Sequence, residues 1–200
     1  MISFCVGKLK ITIDIGFLAV IALVSMSGEN CIAAFSACLI HEIGHIIQIL
    51  LCEYKTEKIS CSISGVKIIT ASGRVHSVYE ELGVITGGVT ANIAAAVIMF
   101  AINGGRPDIF IVTNIIIAFF NLLPYSCLDG GSAIRTVVEY TVGYQRQNTI
   151  LKAAGIFNII SAVAACYFLR NLVMLNISAI IIFIYIIIME ICALFKIVID

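Results

Sequence analysis

The sequence predicts an all-α polytopic membrane protein with about six transmembrane helices and a small cytoplasmic-side β-hairpin or flap after the second helix. Two observations lead to this fold class. Hydrophobic residues make up 61% of the 200 residues and charged residues only 12%, about half the charged share of a soluble domain. A chain this short cannot bury so much apolar surface in a soluble fold. We therefore expect residues 1–200 to form a single integral membrane domain, and we exclude a soluble enzyme or a disordered chain.

The apolar residues fall into six runs, and most of them approach the length that a membrane-spanning helix needs. These runs are residues 11–27, 31–52, 82–102, 109–123, 150–169 and 172–195. The first run follows two lysines, as in a signal peptide, but no cleavage pattern comes after it. We interpret it as a retained first helix.

Two polar segments interrupt the apolar runs. In the surface segment of about residues 57–78, Ile59, Cys61 and Ile63 alternate with serines. This period of two is typical of a strand, and Ser64-Gly65 is a turn signal. The other polar segment, residues 133–149, predicts a short surface helix.

Basic residues give the orientation of the chain. Most of them lie in alternate loops: Lys8, Lys10, Lys55, Lys58, Lys67, Arg74, Arg135, Arg146, Lys152 and Lys196. The opposite loops carry Arg106 and Arg170. The positive-inside rule then places both termini, the flap and residues 124–149 in the cytoplasm. The formal net charge is zero, so no basic field attracts nucleic acid, and we expect no nucleic-acid partner.

The string His41-Glu42-Ile43-Gly44-His45 lies inside the second apolar run and fits H-E-x-x-H. On a helix, positions i and i+4 share a face, so two imidazoles can hold one zinc ion. Glu42 can then act as the general base toward a metal-bound water. The alternative is a polar patch that only packs helices together. The high cost of ionisable groups within a membrane favours the functional interpretation.

A catalytic zinc site with two histidines needs a third protein ligand. The candidates within or beside the spans are Asp14, Glu80, Glu81, Asp129 and Glu190. Asp129 is favoured, because it follows the fourth span at its predicted cytoplasmic end, which is also where the second span ends. Glu190 lies close to Lys196 and is expected to snorkel to the interface. The eight cysteines are expected to be reduced and structural, and Cys127 is interpreted as a spacer.

These strings together resemble the site-2 protease family of intramembrane zinc metalloproteases. That family pairs H-E-x-x-H with N-x-x-P-x-x-x-x-D-G, which the run from Asn121 to Gly130 fits at every specified position. A third string, from Gly88 to Asn92, is similar to the family's G-P-x-x-N but has Val89 in place of proline. The six-span layout is most similar to the compact branch that includes sporulation-type processing proteases.

The resemblance implies a role for each of these residues. His41, His45 and Asp129 would bind one Zn²⁺ per chain, and Glu42 would activate water. Asn121 would hold the substrate or the developing oxyanion. For Asn92, a contact with the substrate and a hydrogen bond between helices are both open.

The implied activity is that of a membrane metalloendopeptidase in regulated intramembrane proteolysis. It would cleave a single-span or membrane-associated protein in the lipid bilayer, near the cytoplasmic face. The flap would either pair with an extended substrate by β-addition or only cover the site, and a second copy of the chain or a regulatory membrane protein is a further candidate partner. The alternative is a non-catalytic transporter or scaffold with a structural metal site, but internal repeats, which are common in transporters, are not seen.

Overall fold

The computed structural model describes residues 2–6, 9–13, 29–52, 56–62, 65–70, 77–168 and 177–199. The chain divides into two compact units, residues 1–120 and residues 121–200. Each unit is described by itself.

The first unit contains a four-stranded sheet in the order β1-β2-β3-β4. The strands are β1 (Ile2–Val6), β2 (Leu9–Ile13), β3 (Thr56–Ser62) and β4 (Gly65–Thr70). β1 and β2 are antiparallel, as are β3 and β4, whereas β2 and β3 are parallel with Lys10 opposite Lys58. The position of this sheet at a membrane surface stays a prediction.

The N-terminal strands correct the predicted first span of residues 11–27. Residues 11–13 belong to β2 rather than to a helix, and residues 14–28 lie outside the described residues. The pattern of Lys10 and Thr12 alternating with isoleucines is typical of a strand. This alternation did not predict a strand, because a longer apolar segment follows it directly and the two together are typical of a helix.

Three helices complete the first unit: α1 (Glu29–Leu51), α2 (Val78–Ile102) and α3 (Ile109–Asn121), whose last residue begins the second unit. α2 begins with a capping box, in which the Ser77 hydroxyl accepts from the Glu80 amide and the Glu80 carboxylate accepts from the Ser77 amide. Glu80, a candidate third ligand, therefore has a structural role. Asp108 starts α3 by accepting a hydrogen bond from the Ile111 amide at 2.9 Å.

α1 and α2 pack against each other through glycines. A Cβ atom on Gly44 would collide with the Gly87 carbonyl oxygen, and one on Gly87 would lie 2.8 Å from the Gly44 carbonyl oxygen. The two backbones thus approach as closely as glycine allows, which is how helices associate in lipid. This contact lies one residue from His45 on one helix and next to Gly88 on the other.

The second unit consists of α4 (Asp129–Thr141), α5 (Tyr144–Phe168) and α6 (Ile177–Ile199). The short helix predicted within residues 133–149 is present as α4, but its bounds differ, because it begins at Asp129 and does not reach residue 149. α4 ends at Thr141, the backbone is extended at Val142, and α5 begins two residues later. Gly143 lies at this break, where glycine disfavours continuation of a helix.

Among the described residues, three helical segments are long and apolar enough to cross a membrane: Ile32–Leu51, Val78–Ile102 and Arg146–Phe168. Two further apolar segments, Ile109–Asn121 and Phe183–Phe195, are shorter. The 13 residues of α3 extend for about 20 Å, less than the roughly 30 Å of a hydrocarbon core. Within the described residues, three of the six expected spans are therefore long and apolar enough to cross a membrane. The orientation of the termini stays a prediction.

Candidate metal centre

The two histidines of H-E-x-x-H lie on one face of α1 with their ε-nitrogens turned toward each other. The Nε2 atoms of His41 and His45 are 3.1 Å apart, and the rings meet edge to face with their centroids 4.7 Å apart. Two nitrogens bound to one tetrahedral zinc at the usual Zn–N length would be about 3.3 Å apart. The pair therefore fits a shared metal ion, and His41 is buried, with 6% of its surface exposed.

A backbone carbonyl sets the protonation of His45. The Nδ1 atom of His45 lies 2.8 Å from the carbonyl oxygen of Val84 on α2. Because a carbonyl oxygen can only accept, Nδ1 of the neutral ring carries the proton, and the unprotonated nitrogen is Nε2, which faces Nε2 of His41. This is the arrangement that metal-bound histidines adopt, with the second nitrogen donating to an oxygen.

Gly88 on α2 leaves room for both imidazoles. A Cβ atom at this position would lie 2.5 Å from His41 Cε1 and 2.6 Å from His45 Nε2. Only glycine lets α2 pack this closely over the pair. The sequence singled out Gly88 as part of a string, but its contact with the two rings could not be read from spacing.

Glu42 lies on α1 with the histidine pair, and Asn92 lies on α2, which packs against α1. Glu42 follows His41 directly on α1 and is half-buried. Asn92, one helical turn after Gly88, is fully buried. Within the described part of the chain, neither of its amide atoms has a hydrogen-bond partner. A buried amide of this kind is uncommon unless water or a ligand completes its bonding.

Asp129 and Asn121 belong to the second unit, at the two ends of one connecting segment. Asn121 is the last residue of α3 and Asp129 the first residue of α4. Residues 122–128 fold back on the start of α4. A Cβ atom on Gly130 would collide with the carbonyl oxygens of Leu122 and Leu123, and one on Gly131 would collide with that of Tyr125. The absence of side chains at Gly130 and Gly131 therefore lets the start of α4, which includes Asp129, pack directly against the backbone of residues 122–126.

Glu190 is hydrogen-bonded to the same segment. It is fully buried and accepts hydrogen bonds from the amide and hydroxyl of Ser126 and from the Asn158 side chain. The expectation that Glu190 snorkels to an interface is therefore wrong. The expectation relied on Lys196, which is close in sequence. The hydrogen-bond donors to Glu190 are instead Ser126 in the loop before α4 and Asn158 on α5, which are distant in sequence.

The remaining candidates are also accounted for. Asp14 lies outside the described residues, and Glu81 is in the first turn of α2. Burial, and after it the Glu190 carboxylate, raise the pKa of the Cys127 thiol. The interpretation of Cys127 as a spacer stays a prediction.

A comparison with solved structures finds a protein of similar fold. The chain is similar to the solved structure of the site-2 protease from Methanocaldococcus jannaschii, with a TM-score of 0.62 and 21% sequence identity over 94% of this chain and 93% of that chain. At this identity the likeness shows the fold. No protein-family model matches the sequence. No curated protein is a match either.

Proposed function

We propose that this protein is an intramembrane zinc endopeptidase that cleaves a membrane-anchored protein near the cytoplasmic face. The observation that carries the proposal is the convergence of the His41 and His45 ε-nitrogens on apolar helix α1, with the His45 tautomer set by Val84. The fold similarity to a site-2 protease supports it, as do the three helices that are apolar enough to cross a membrane.

We assign the metal to His41, His45 and Asp129, a group of side chains that could hold a metal ion. Two imidazole nitrogens and one carboxylate oxygen leave one position of a tetrahedral zinc open, as catalytic zinc sites do. The resemblance of the run from Asn121 to Gly130 to the second site-2 protease motif supports Asp129 as the third ligand.

When bound, zinc would lower the pKa of a water molecule and polarise the scissile carbonyl. Glu42 takes one proton from the attacking water as the water oxygen bonds to the carbonyl carbon. The same carboxylic acid then gives this proton to the leaving amine as the C–N bond breaks. Its half-buried position beside His41 suits both steps.

Two asparagines are assigned to hydrogen bonding with the substrate. Asn121 would donate a hydrogen bond to the oxyanion that develops on the carbonyl oxygen. Asn92 would use its buried amide to hold the substrate backbone, in keeping with its unmet hydrogen-bonding capacity within the described residues. The sheet β1–β4 would present the substrate in extended form by β-addition.

The proposal is tested by Glu42→Gln in the full chain, reconstituted in lipid vesicles with a tagged single-span protein. We expect cleavage to fall by about 100-fold or more, since a general base contributes at least that much. The zinc content should stay at that of the unchanged protein, because Glu42 is not a ligand. A chelator should abolish cleavage by the unchanged chain.

Glu139→Gln is the matched control, because Glu139 is an exposed residue of α4 paired with Arg135. It should leave cleavage unchanged. Cleavage that survives Glu42→Gln would rule out the mechanism. Zinc binding without cleavage of any membrane-anchored substrate would favour the transporter or scaffold.

A further inference from the structure

We propose that Glu190 is a positioning residue, whose carboxylate clamps the segment before Asp129 and so holds this ligand in place for the metal. The inference rests on the proposed function, in which Asp129 is the third ligand. The clamp itself lies entirely within the second unit, and its hydrogen bonds do not depend on the metal.

The Glu190 carboxylate is surrounded by three donors. The Ser126 amide donates to its Oε1 and the Ser126 hydroxyl to its Oε2 at 2.9 Å. The Asn158 side-chain amide donates to Oε1 at 3.1 Å, and also to the Pro124 carbonyl oxygen at 2.6 Å. Glu190 on α6 and Asn158 on α5 therefore fix the loop at both Pro124 and Ser126.

The fixed loop leads directly into the ligand. The Leu128 amide donates to the Tyr125 carbonyl oxygen, and the Ser132 amide to the Leu128 carbonyl oxygen. Gly131 packs against the Tyr125 backbone so closely that a Cβ atom would lie 2.8 Å from the Ser126 nitrogen. A displacement of Ser126 would therefore pass through this tight turn to the first residue of α4, which is Asp129.

The chemistry of the clamp argues against simple packing between α5 and α6. A fully buried carboxylate is costly unless hydrogen bonds satisfy it, and apolar residues often pack two helices at least as well. An ionised carboxylate only accepts, and here it faces three donors. Two of these donors belong to Ser126, so most of the carboxylate's bonding is directed at the loop.

The first test measures hydrogen exchange in the full chain without metal. In Glu190→Ala we expect the amides of residues 125–128 to exchange at least about 10-fold faster, because the Ser126 amide loses its acceptor. Exchange in α2 should not change. Ser126→Ala, which removes only a hydroxyl contact from an exposed residue, should give a smaller effect in the same segment.

The second test measures zinc affinity by competition with a chelator. Glu190→Ala should weaken zinc binding by about 10- to 100-fold, the usual loss when the support of a ligand is removed. The same change in an Asp129→Ala background should cause no further loss, because the ligand that Glu190 positions is already gone. Glu190→Gln, which keeps one acceptor oxygen, should restore part of the affinity.

Glu139→Ala is the matched control for both tests, since it removes an exposed carboxylate from α4. Unchanged exchange at residues 125–128, or equally faster exchange throughout α5 and α6, would overturn the clamp. An equal loss of zinc affinity in both backgrounds would reduce Glu190 to a general packing role. If Asp129→Ala alone leaves zinc binding intact, the proposed third ligand is wrong, while the exchange experiment still decides whether the clamp exists.

Discussion

The two imidazoles of the metal centre occupy the space that a side chain at position 88 would need. A Cβ atom on Gly88 would lie within 2.7 Å of three ring atoms, two from His41 and one from His45. The ring of His45 is also held by the Val84 carbonyl oxygen. Neither ring can give way without leaving the arrangement that suits a shared metal.

Gly88→Ala should therefore weaken zinc binding by about 10-fold or more and lower the free energy of unfolding by about 1–3 kcal/mol, the usual cost of overpacking. Gly83→Ala is the matched control on the same helix, because no atom lies within 4 Å of its Cβ position. It should preserve zinc binding. Chelator competition and thermal unfolding measure both effects, and equal zinc affinity in the two variants would contradict the argument.

At the residue scale, the sequence predicted what depends on local spacing. His41, Glu42 and His45 stand out because i and i+4 positions meet on any helix. The contact of Gly88 with both rings, and that of Glu190 with Ser126, join residues more than forty positions apart. No periodicity encodes such contacts, so the snorkelling expected of Glu190 was wrong.

The start of α4 shows how an element is placed by its loop. Asp129 begins the helix, yet no side chain caps it at Leu128. The turn is instead held by the backbone contacts of Gly130 and Gly131 with residues 122–126. Glycine is needed at positions 130 and 131, because the backbone of the preceding loop packs directly against the first turn of α4.

Gly131→Ala should move α4 away from its loop, because the new methyl group would collide with the Tyr125 carbonyl, which is backbone and cannot rotate aside. We expect a loss of about 1–3 kcal/mol in unfolding free energy and weaker zinc binding. Gly143→Ala serves as the control, since its Cβ position has no neighbour within 4 Å. A Gly131→Ala chain that unfolds at the same temperature as the Gly143→Ala chain would refute this view.

At the element scale, the long apolar helices could be predicted, whereas the boundaries of short elements could not. α1, α2 and α5 largely coincide with apolar runs, because length and hydropathy suffice for them. β1 and β2 were missed since five-residue strands carry too little pattern beside a long apolar run. The break at Val142 depends on two residues in an otherwise helical segment.

For the whole molecule, the proposed function would give the ion ligands from α1 and from the start of α4, His41, His45 and Asp129. Ligand binding stabilises a folded chain by about 2.7 kcal/mol when the free ligand is at 100 times its dissociation constant. Zinc should therefore raise the unfolding temperature of residues 1–120 and residues 121–200 together. His45→Ala and Asp129→Ala should each remove this rise from both units.

Differential scanning calorimetry and hydrogen exchange, with and without zinc, measure this linkage. Glu139→Ala provides the control and should keep the full zinc response. A zinc response that persists in Asp129→Ala, or one confined to the first unit, would show that the ion is held without the second unit.

The hydrogen bond from His45 to Val84 has a consequence for how this site can vary. The acceptor is a main-chain oxygen, so the side chain at position 84 can be exchanged for many others while the acceptor atom stays. Position 84 can therefore drift in sequence without changing the tautomer of His45. The carbonyl oxygen of residue 84 would then be essential to the site, although the type of residue at position 84 would not be conserved.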